Sequence, residues 1–350
     1  MNTKTNKVDV VVDLGYGSTG KGACAFWLSR NRSYDTVISI NGFQAGHTAV
    51  SKEGRKWVHL ALPTGLYIKK NVLIAPGAAF YPAQLALEIE GSKDLLSGKR
   101  IGIHECATVG KQWMADEEAS STGMQMTGST KKGFGAAQAA KARRRPDVIA
   151  RDSMELLEQH GLAQYVVTHQ QYLDILRDSE SILLESSQGY SLSLNAGMYP
   201  YCTSRDCTTS ATLSATHIPP QWVRDVFGVA RLYPIRVNNQ QGSSGPCYQD
   251  QEETSFGAIG QPVELTTVTK LPRRVFTFSM QQVLEAVQVN GVTDIVLSFA
   301  DYNPPLATEL ANTIDSAVAS NGGEARVNYL TVGPSESDFL TREQFVASQV

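Results

Sequence analysis

The chain has 350 residues and 42% hydrophobic content, which is enough for one large or two smaller α/β domains with a well-buried core. Its formal net charge of -3 gives no electrostatic reason to bind nucleic acid, and no apolar run approaches the ~20 residues of a membrane span. The polar start lacks the apolar region of a signal peptide, and five cysteines without a Cys-x-x-Cys pair argue against a disulfide framework or a zinc site. We therefore expect a cytoplasmic globular protein.

Short β-branched runs alternate with helix-like stretches along the chain. Strands are predicted at residues 8–14, 36–40, 72–74, 182–184, 226–233, 294–298 and 327–332, and helices at 81–90, 154–159, 280–289 and 307–319. This alternation predicts an α/β fold with a mainly parallel central sheet, flanking helices and ligands at the carboxyl ends of the strands. Residues 107–145 and 238–261 are rich in glycine and polar residues, so we expect long active-site loops there, the first of them helical or mobile. Residues 1–350 are expected to form a single domain.

The first predicted strand runs straight into a glycine-rich loop that carries a lysine. Such loops wrap backbone N–H groups around phosphate, and the helix that follows directs its N-terminus at the anion. Gly15, Gly20 and Lys21 fit the Walker pattern G-x-x-x-x-G-K-[ST], but Gly22 stands where that pattern has the hydroxyl that holds Mg²⁺. The loop therefore indicates a nucleotide site of a different, P-loop-related family.

Four further segments combine glycine, polar and aromatic residues in ways that a plain core does not require; they are residues 41–48, 127–145, 185–204 and 266–275. With the glycine-rich loop, and in this order, they resemble the motifs of the adenylosuccinate synthetase family over nearly the whole chain. In that family the 6-oxygen of a purine monophosphate attacks a γ-phosphate, and the amine of L-aspartate then displaces the phosphate. The resemblance implies the fold of that family and a homodimeric ligase that uses Mg²⁺ and a nucleoside triphosphate.

The resemblance places the phosphoryl-transfer machinery in the glycine-rich loop and in the AGHT segment. Lys21 matches the lysine at the transferring phosphoryl group, and His47 matches a catalytic histidine that donates to the γ-phosphate and to the purine 6-oxygen. The backbone carbonyl of Gly46, with Ser18, would hold Mg²⁺, which would explain why no serine or threonine follows Lys21. The implied contacts of the donor nucleotide and its metal are Ser18, Thr19, Gly20, Lys21, Gly22, Gly46, His47, Thr48, Asp301, Thr331, Gly333 and Pro334.

The same resemblance implies two anion pockets for the substrates. Thr130 and Arg144 match residues that hold the phosphate of the purine monophosphate, with the arginine reaching across from the second subunit of the dimer. Arg273 matches an arginine for the aspartate carboxylate, a task that suits the fork of a guanidinium group. The implied substrate contacts are Ser18, Gln44, Ala45, Ser129, Thr130, Arg144, Gln188, Thr203, Thr267, Val268, Thr269 and Arg273.

The most consequential departure from the family is Ser18, which stands where the family has a catalytic aspartate. A serine hydroxyl is far too weakly acidic to act as an ionised base near pH 7, so it cannot replace the carboxylate that accepts the N1 proton of hypoxanthine. Its smaller volume frees space beside N1, where guanine carries a 2-amino group. The change resembles the bacteriophage branch of the family, which joins L-aspartate to dGMP and makes N6-succino-2-amino-2′-deoxyadenylate for 2-aminoadenine DNA.

That resemblance implies a catalytic residue Ser18 that contacts the guanine edge or Mg²⁺, in an enzyme of the host cytoplasm if the chain is phage-encoded. The general base stays open between the aspartate substrate, a water molecule and His47. Two other interpretations stay open: an ordinary enzyme acting on IMP, and a nucleotide-binding regulator that has lost catalysis. Retention of His47 and Arg273 weighs against the regulator, because a pure binder needs neither.

The pocket for the donor base departs from the family as well. The family recognises the guanine of GTP with T-K-L-D, and Asp301 matches its aspartate, but Phe299 replaces the lysine. Because phenylalanine can stack on any purine, we expect ATP or dATP as the phosphoryl donor. Gln44 and Leu271 also replace an asparagine and an arginine of the family.

The other histidines have no motif around them, and we expect them to be ordinary residues without a role in the site. They are His59, His104, His160, His169 and His217.

Overall fold

The computed structural model of the protein describes residues 7–121, 127, 129–238, 243–266 and 270–349. Their strands are β1 (Lys7–Asp13), β2 (Thr36–Ser39), β3 (His47–Val50), β4 (Lys56–His59), β5 (Asn71–Ile74), β6 (Ala79–Phe80), β7 (Arg100–His104), β8 (Thr108–Val109), β9 (Val166–Val167), β10 (Ser181–Glu185), β11 (Val223–Arg231), β12 (Ile235–Arg236), β13 (Glu253–Thr254), β14 (Arg274–Phe276), β15 (Asp294–Ser298), β16 (Arg326–Thr331) and β17 (Phe339–Thr341). Their α-helices are α1 (Lys21–Asn31), α2 (Pro82–Gly91), α3 (Lys93–Leu96), α4 (Gln112–Ser120), α5 (Phe134–Ala142), α6 (Met154–Gln159), α7 (His169–Asp178), α8 (Thr209–Thr216), α9 (Met280–Asn290), α10 (Pro304–Ser320) and α11 (Arg342–Ala347).

Ten strands form one central sheet in the order β17, β16, β15, β11, β1, β10, β2, β5, β7, β9. Neighbouring strands are parallel except for β16 and β17 at one edge. Val10 of β1 pairs with Leu184 of β10 on one side and with Val226 of β11 on the other. Since parallel neighbours end at the same edge of a sheet, the carboxyl ends of β11, β1 and β10 lie side by side at its centre.

The central strand β1 is buried on both faces, which explains its nearly unbroken run of valines. Val8, Val10 and Val12 pack in one apolar cluster with residues of α9 and α10. Val11 points to the opposite face, where it packs with residues of α1 and α2. Helices therefore cover both faces of the sheet. A site can form at the edge of the sheet where the parallel strands have their carboxyl ends.

The predicted α/β fold with a mainly parallel sheet and flanking helices is confirmed, and each predicted strand and helix overlaps an observed one. The segment 107–145 is helical over much of its described part, with α4 and α5 after the short strand β8. The sheet also contains β7, β9 and β17, which the sequence did not predict. Across the described ranges, no helix combines the length and apolar character needed to cross a membrane.

Candidate active site

Three neighbouring strands at the centre of the sheet each end in a buried charged residue. β1 ends at Asp13, β10 at Glu185 and β11 at Arg231, and these residues are exposed by only 1%, 0% and 3%. A charge is costly to bury unless it is paired and hydrogen-bonded. Their hydrogen-bond partners include the predicted site residues Ser18, Thr19, Lys21 and His47, so the strand ends help to hold the site in place.

The Asp13 carboxylate fixes the shape of the glycine-rich loop. Its Oδ1 accepts hydrogen bonds from the backbone N–H of Gly15 (2.8 Å) and of Gly17 (3.1 Å). Its Oδ2 accepts from the Thr19 hydroxyl and from the Lys21 ammonium at 3.0 Å. Four donors fill the acceptor capacity of the two oxygens, so Asp13 holds the loop and has no lone pair left for a metal or a proton.

Lys21 is held in place by two of its three N–H donors. Besides Asp13, its Nζ donates to the carbonyl oxygen of Gly17 at 3.0 Å, and its side chain is 1% exposed. The third donor remains for a phosphate oxygen. Gly20 precedes α1 with a φ of 98°, a left-handed conformation that favours glycine and turns the first N–H groups of the helix toward the loop.

Gly22 allows α1 to lie directly against β3. A Cβ atom at this position would come within 2.9 Å of the Thr48 carbonyl oxygen and within 3.0 Å of the His47 Cβ. Real Cβ atoms do not make such contacts, and the first of them is to backbone, which cannot move aside easily. This contact is a steric reason for the absence of serine or threonine after Lys21, and it acts independently of any metal.

Replacing Gly22 by alanine is therefore expected to lower the free energy of unfolding by about 1–3 kcal/mol and kcat/KM by about tenfold, because β3 must shift away from α1. Urea unfolding and steady-state kinetics measure the two effects. Gly91→Ala is the matched control, since a Cβ at Gly91 would meet nothing within 4 Å. Equal behaviour of the two variants would contradict the steric argument.

His47 is oriented by Glu185. Its Nδ1 is hydrogen-bonded to Glu185 Oε1, and Glu185 Oε2 accepts from the Thr64 backbone N–H at 2.8 Å and its hydroxyl at 3.0 Å. A carboxylate can only accept, so it fixes the ring proton on Nδ1 and directs Nε2 away from the strand end. The carboxylate also faces any positive charge that the ring takes up.

Two adjoining cavities bring most of the predicted substrate contacts together. The first has a volume of about 310 Å³, and the second, of about 110 Å³, shares Gln44, Thr130 and Gln188 with it. The predicted residues that line only the first cavity are Ser18, Ala45, Gly46, His47, Thr48 and Arg273. Those that line only the second are Ser129 and Thr203.

Ser18 lies in the glycine-rich loop, on the side of the predicted aspartate pocket. Its hydroxyl accepts a hydrogen bond from Arg273 Nη1 at 3.3 Å, and its carbonyl oxygen accepts from Arg231 Nη1 at 3.3 Å. Burial lowers the pKa of Arg273, and the nearby Glu264 carboxylate opposes this shift. The guanidinium keeps its charge, so Ser18 stands beside a fixed cation at the wall of the larger cavity.

The smaller cavity has a buried arginine in its wall. Arg236 is 1% exposed and donates to the carbonyl oxygens of Pro246 at 2.7 Å and Tyr201 at 2.8 Å. Burial lowers its pKa, yet it remains a cation in a confined space. Glu118, which also lines this cavity, accepts from the N–H of Gly133 at 2.7 Å and so holds the start of α5. A phosphate group in this cavity would be attracted by the charge of Arg236.

The residues predicted for the donor base lie apart from the two cavities, around the carboxyl ends of β15 and β16. The Phe299 N–H donates to the Thr331 hydroxyl at 3.3 Å, and Arg231 covers one face of the Phe299 ring at 3.7 Å. A purine could stack only on the face of the ring that Arg231 does not cover. Partial desolvation and the neighbouring Asp338 raise the pKa of Asp301. The predicted Gly333 and Pro334 follow β16 in this region.

Two groups of predicted residues are not placed in the cavities. Arg144 is exposed, with a φ of 57°, and it lines neither cavity. The predicted Thr267, Val268 and Thr269 lie outside the described residues. The base of their loop is closed by the bond from the Thr266 N–H to the Leu271 carbonyl oxygen at 2.9 Å.

Sequence reasoning assigned no role to Asp13, Glu185, Arg231, Arg236 or Glu118. Three of them carry a signal: Asp13, Glu185 and Arg231 are charged residues that end apolar strands, at the edge where a parallel sheet gathers its ligands. Glu118 and Arg236 have no comparable signal, because only the folded chain brings them to the same cavity.

A parallel sheet with a phosphate loop, a lysine and a carboxylate-oriented histidine at its centre defines a nucleotide-dependent enzyme. The family model described as adenylosuccinate synthetase matches residues 10–158 and 147–308, and the chain belongs to this family.

Several relatives share most of the chain. It is 43% identical over 347 residues to N6-succino-2-amino-2′-deoxyadenylate synthase of Vibrio phage phiVC8, with 96% of this chain and 98% of the relative covered. It is 31% identical over 297 residues to adenylosuccinate synthetase of Thermococcus onnurineus, with 83% of each covered. A solved structure of cyanophage S-2L succinoaminodeoxyadenylate synthetase, bound to dGMP and to dATP as an energy donor, matches with a TM-score of 0.88 and 34% identity over 98% of both chains.

Proposed function

We propose that the protein joins L-aspartate to C6 of dGMP, with ATP or dATP as phosphoryl donor, through a 6-phosphoryl intermediate. The product would be N6-succino-2-amino-2′-deoxyadenylate, the precursor of 2-aminoadenine in DNA. The similarity to phage synthases over nearly the full chain supports this proposal, and so does the dGMP and dATP bound to the cyanophage relative.

One observation carries the choice of acceptor. Ser18 lines the larger cavity together with His47, Gln188 and Arg273, and it places a hydroxyl where the family has a carboxylate. The smaller side chain leaves room for an exocyclic amine beside N1 of the purine. His47 would donate to the developing negative charge, and Arg273 would hold the aspartate carboxylate.

The residues at the loop suit a magnesium ion. Gly46 and Ser18 line the same cavity. A backbone carbonyl and a hydroxyl oxygen, together with phosphate oxygens and water, are the hard ligands that Mg²⁺ prefers. Asp13 is excluded as a ligand because its oxygens are already filled. When bound, the ion would neutralise charge on the triphosphate of the donor.

The direct test is an assay of the purified protein with L-aspartate, Mg²⁺ and either ATP, dATP or GTP. We expect aspartate-dependent phosphate release with dGMP, a product mass that contains both substrates, and preference for an adenine donor. Consumption of IMP with no reaction of dGMP would identify an ordinary member of the family. Nucleotide binding without aspartate-dependent phosphate release would instead identify a regulator.

Replacing Ser18 by aspartate is expected to lower kcat/KM for dGMP by about tenfold or more, because the larger carboxylate fills the space assigned to the 2-amino group. It would also pair with Arg273, which already contacts the Ser18 hydroxyl. Ser18→Ala, which keeps the space open, is the matched control and should retain preference for dGMP over IMP. Unchanged or improved turnover of dGMP by the aspartate variant would contradict the steric argument.

The exposed position of Arg144 supports a role in the site of a partner subunit. Arg144→Ala and His47→Ala should each be inactive alone. After subunit exchange, each mixed dimer would contain one intact site, so about one quarter of the native activity should return. If Arg144 served its own subunit, both sites of the mixed dimer would be defective and no activity would return.

A further inference from the structure

Three histidines from distant parts of the sequence gather outside the proposed active site. His104 ends β7, His169 begins α7 and His217 follows α8. Their ligand nitrogens all lie within 4.8 Å of one another, and His104 Nε2 is 3.1 Å from His169 Nδ1. We propose that this cluster is a zinc site with three imidazole ligands, separate from the magnesium-dependent chemistry of the nucleotide site.

The arrangement of the rings fits a tetrahedral ion. Zinc–nitrogen bonds of about 2.0–2.1 Å place two ligand nitrogens of a tetrahedron about 3.3 Å apart. The ring centroids of the three histidines are 5.4, 5.9 and 5.1 Å apart, and the rings stand at 71°, 88° and 84° to one another. The ligand nitrogens of the three rings lie within 4.8 Å of one another, so all three can reach a common centre. Small movements of the side chains would complete the geometry.

Each of the three histidines belongs to a part of the fold whose position does not depend on a metal ion. His104 is 1% exposed, and the N–H of His169 donates to Glu105 Oε1 at 2.7 Å. His217 ends α8 with a φ of 56°, a left-handed conformation that glycine adopts at lower cost. His169 and His217 are exposed, so that an ion can enter and a water molecule can fill the fourth position.

Binding requires a change of tautomer at His104. The Cys106 N–H donates to His104 Nδ1 at 2.9 Å, so the neutral ring carries its proton on Nε2 and donates it to His169. For Nε2 to bind zinc, this proton moves to Nδ1 and the Cys106 peptide turns its N–H aside. Lys141 adds a nearby positive charge, although its ammonium is directed at the carbonyl oxygens of Pro76 and Cys106. We therefore expect a Kd in the micromolar range, weaker than that of closed structural sites.

The test uses the full chain without a histidine tag, freed of metals by a chelator and kept in excess Mg²⁺ so that oxygen sites are saturated. Calorimetric titration with Zn²⁺ should give one ion per chain and should raise the midpoint of thermal unfolding. Substitution of Co²⁺ should give the absorption of a tetrahedral nitrogen site.

Two exposed ligands can be removed with little risk to the fold. His169→Ala and His217→Ala should each weaken Zn²⁺ binding by at least about 100-fold and abolish the cobalt spectrum. His160→Ala removes a histidine outside the cluster and should bind as the native protein does. The proposal is overturned if the native chain takes up no Zn²⁺ at millimolar concentration, or if the two cluster variants bind as tightly as the His160 variant. Neither result depends on ligase activity.

Discussion

Replacing Glu185 by glutamine is expected to lower kcat of the proposed ligation by about 10²-fold with little change in the fold. The Thr64 backbone N–H donates to Glu185 Oε2, so the single oxygen of glutamine has to remain there. Its NH₂ group then faces His47 Nδ1 and makes that nitrogen an acceptor. The ring proton moves to Nε2, and the ring loses the carboxylate that would face a positive charge formed on it during the proposed ligation.

The accompanying control is a double-mutant cycle, measured by phosphate release at saturating substrates. If Glu185 acts through His47, then Glu185→Gln should have almost no further effect in a His47→Asn background. Thermal unfolding of each variant separates this effect from a loss of folded protein. Additive losses in the two backgrounds would show that Glu185 has a separate role.

Replacing Asp13 by asparagine is expected to lower the free energy of unfolding by about 3–5 kcal/mol and to weaken donor binding strongly. The change removes the carboxylate partner of Lys21 and leaves a buried cation whose side chain is 1% exposed. It also turns an acceptor into an NH₂ group, which must face either the two loop amides or the lysine. The phosphate loop therefore loses both its charge balance and its shape.

Urea unfolding and donor titration measure these losses. Asp225→Asn provides the matched control, because Asp225 pairs with Arg32 at a position where both side chains remain 27% and 29% exposed. There we expect a loss of about 1 kcal/mol or less. An unchanged unfolding midpoint for the Asp13 variant would mean that the loop keeps its conformation without this carboxylate.

The fold was predictable because its main strands are β-branched and apolar and its helices fill the intervals between them. The strand β7 was missed, since the sequence RIGIH contains a glycine and is flanked by charged residues. The strands β9 and β17 are too short to give a periodic signal. Their positions are set by pairing with longer neighbours, which is a property of the folded sheet.

The residues that line the two cavities could be predicted from the sequence only where they belong to a recognisable motif. Ser18 and His47 lie in such motifs. Glu185 lies in one too, but its role depends on a contact with His47, which is 138 residues away in the sequence. The spacing of the histidines at 104, 169 and 217 matches no local metal pattern, so the sequence gives no sign that they meet. Which groups meet across a sheet edge depends on strand order, and local spacing does not encode that order. The single-domain organisation stays a prediction.

The contact between Gly22 and Thr48 has a consequence for how such an enzyme can change its acceptor. Because there is no room for a side chain at residue 22 between α1 and β3, we expect the glycine-rich loop and His47 to move together. Moving β3 relative to α1 to admit a different purine would also displace His47 from the glycine-rich loop, and the proposed phosphoryl transfer would suffer. We therefore expect selectivity for the purine to change through substitution of side chains, with the backbone of α1 and β3 unaltered. Residue 18 is a position where a single substitution changes the wall of the larger cavity and leaves that backbone in place.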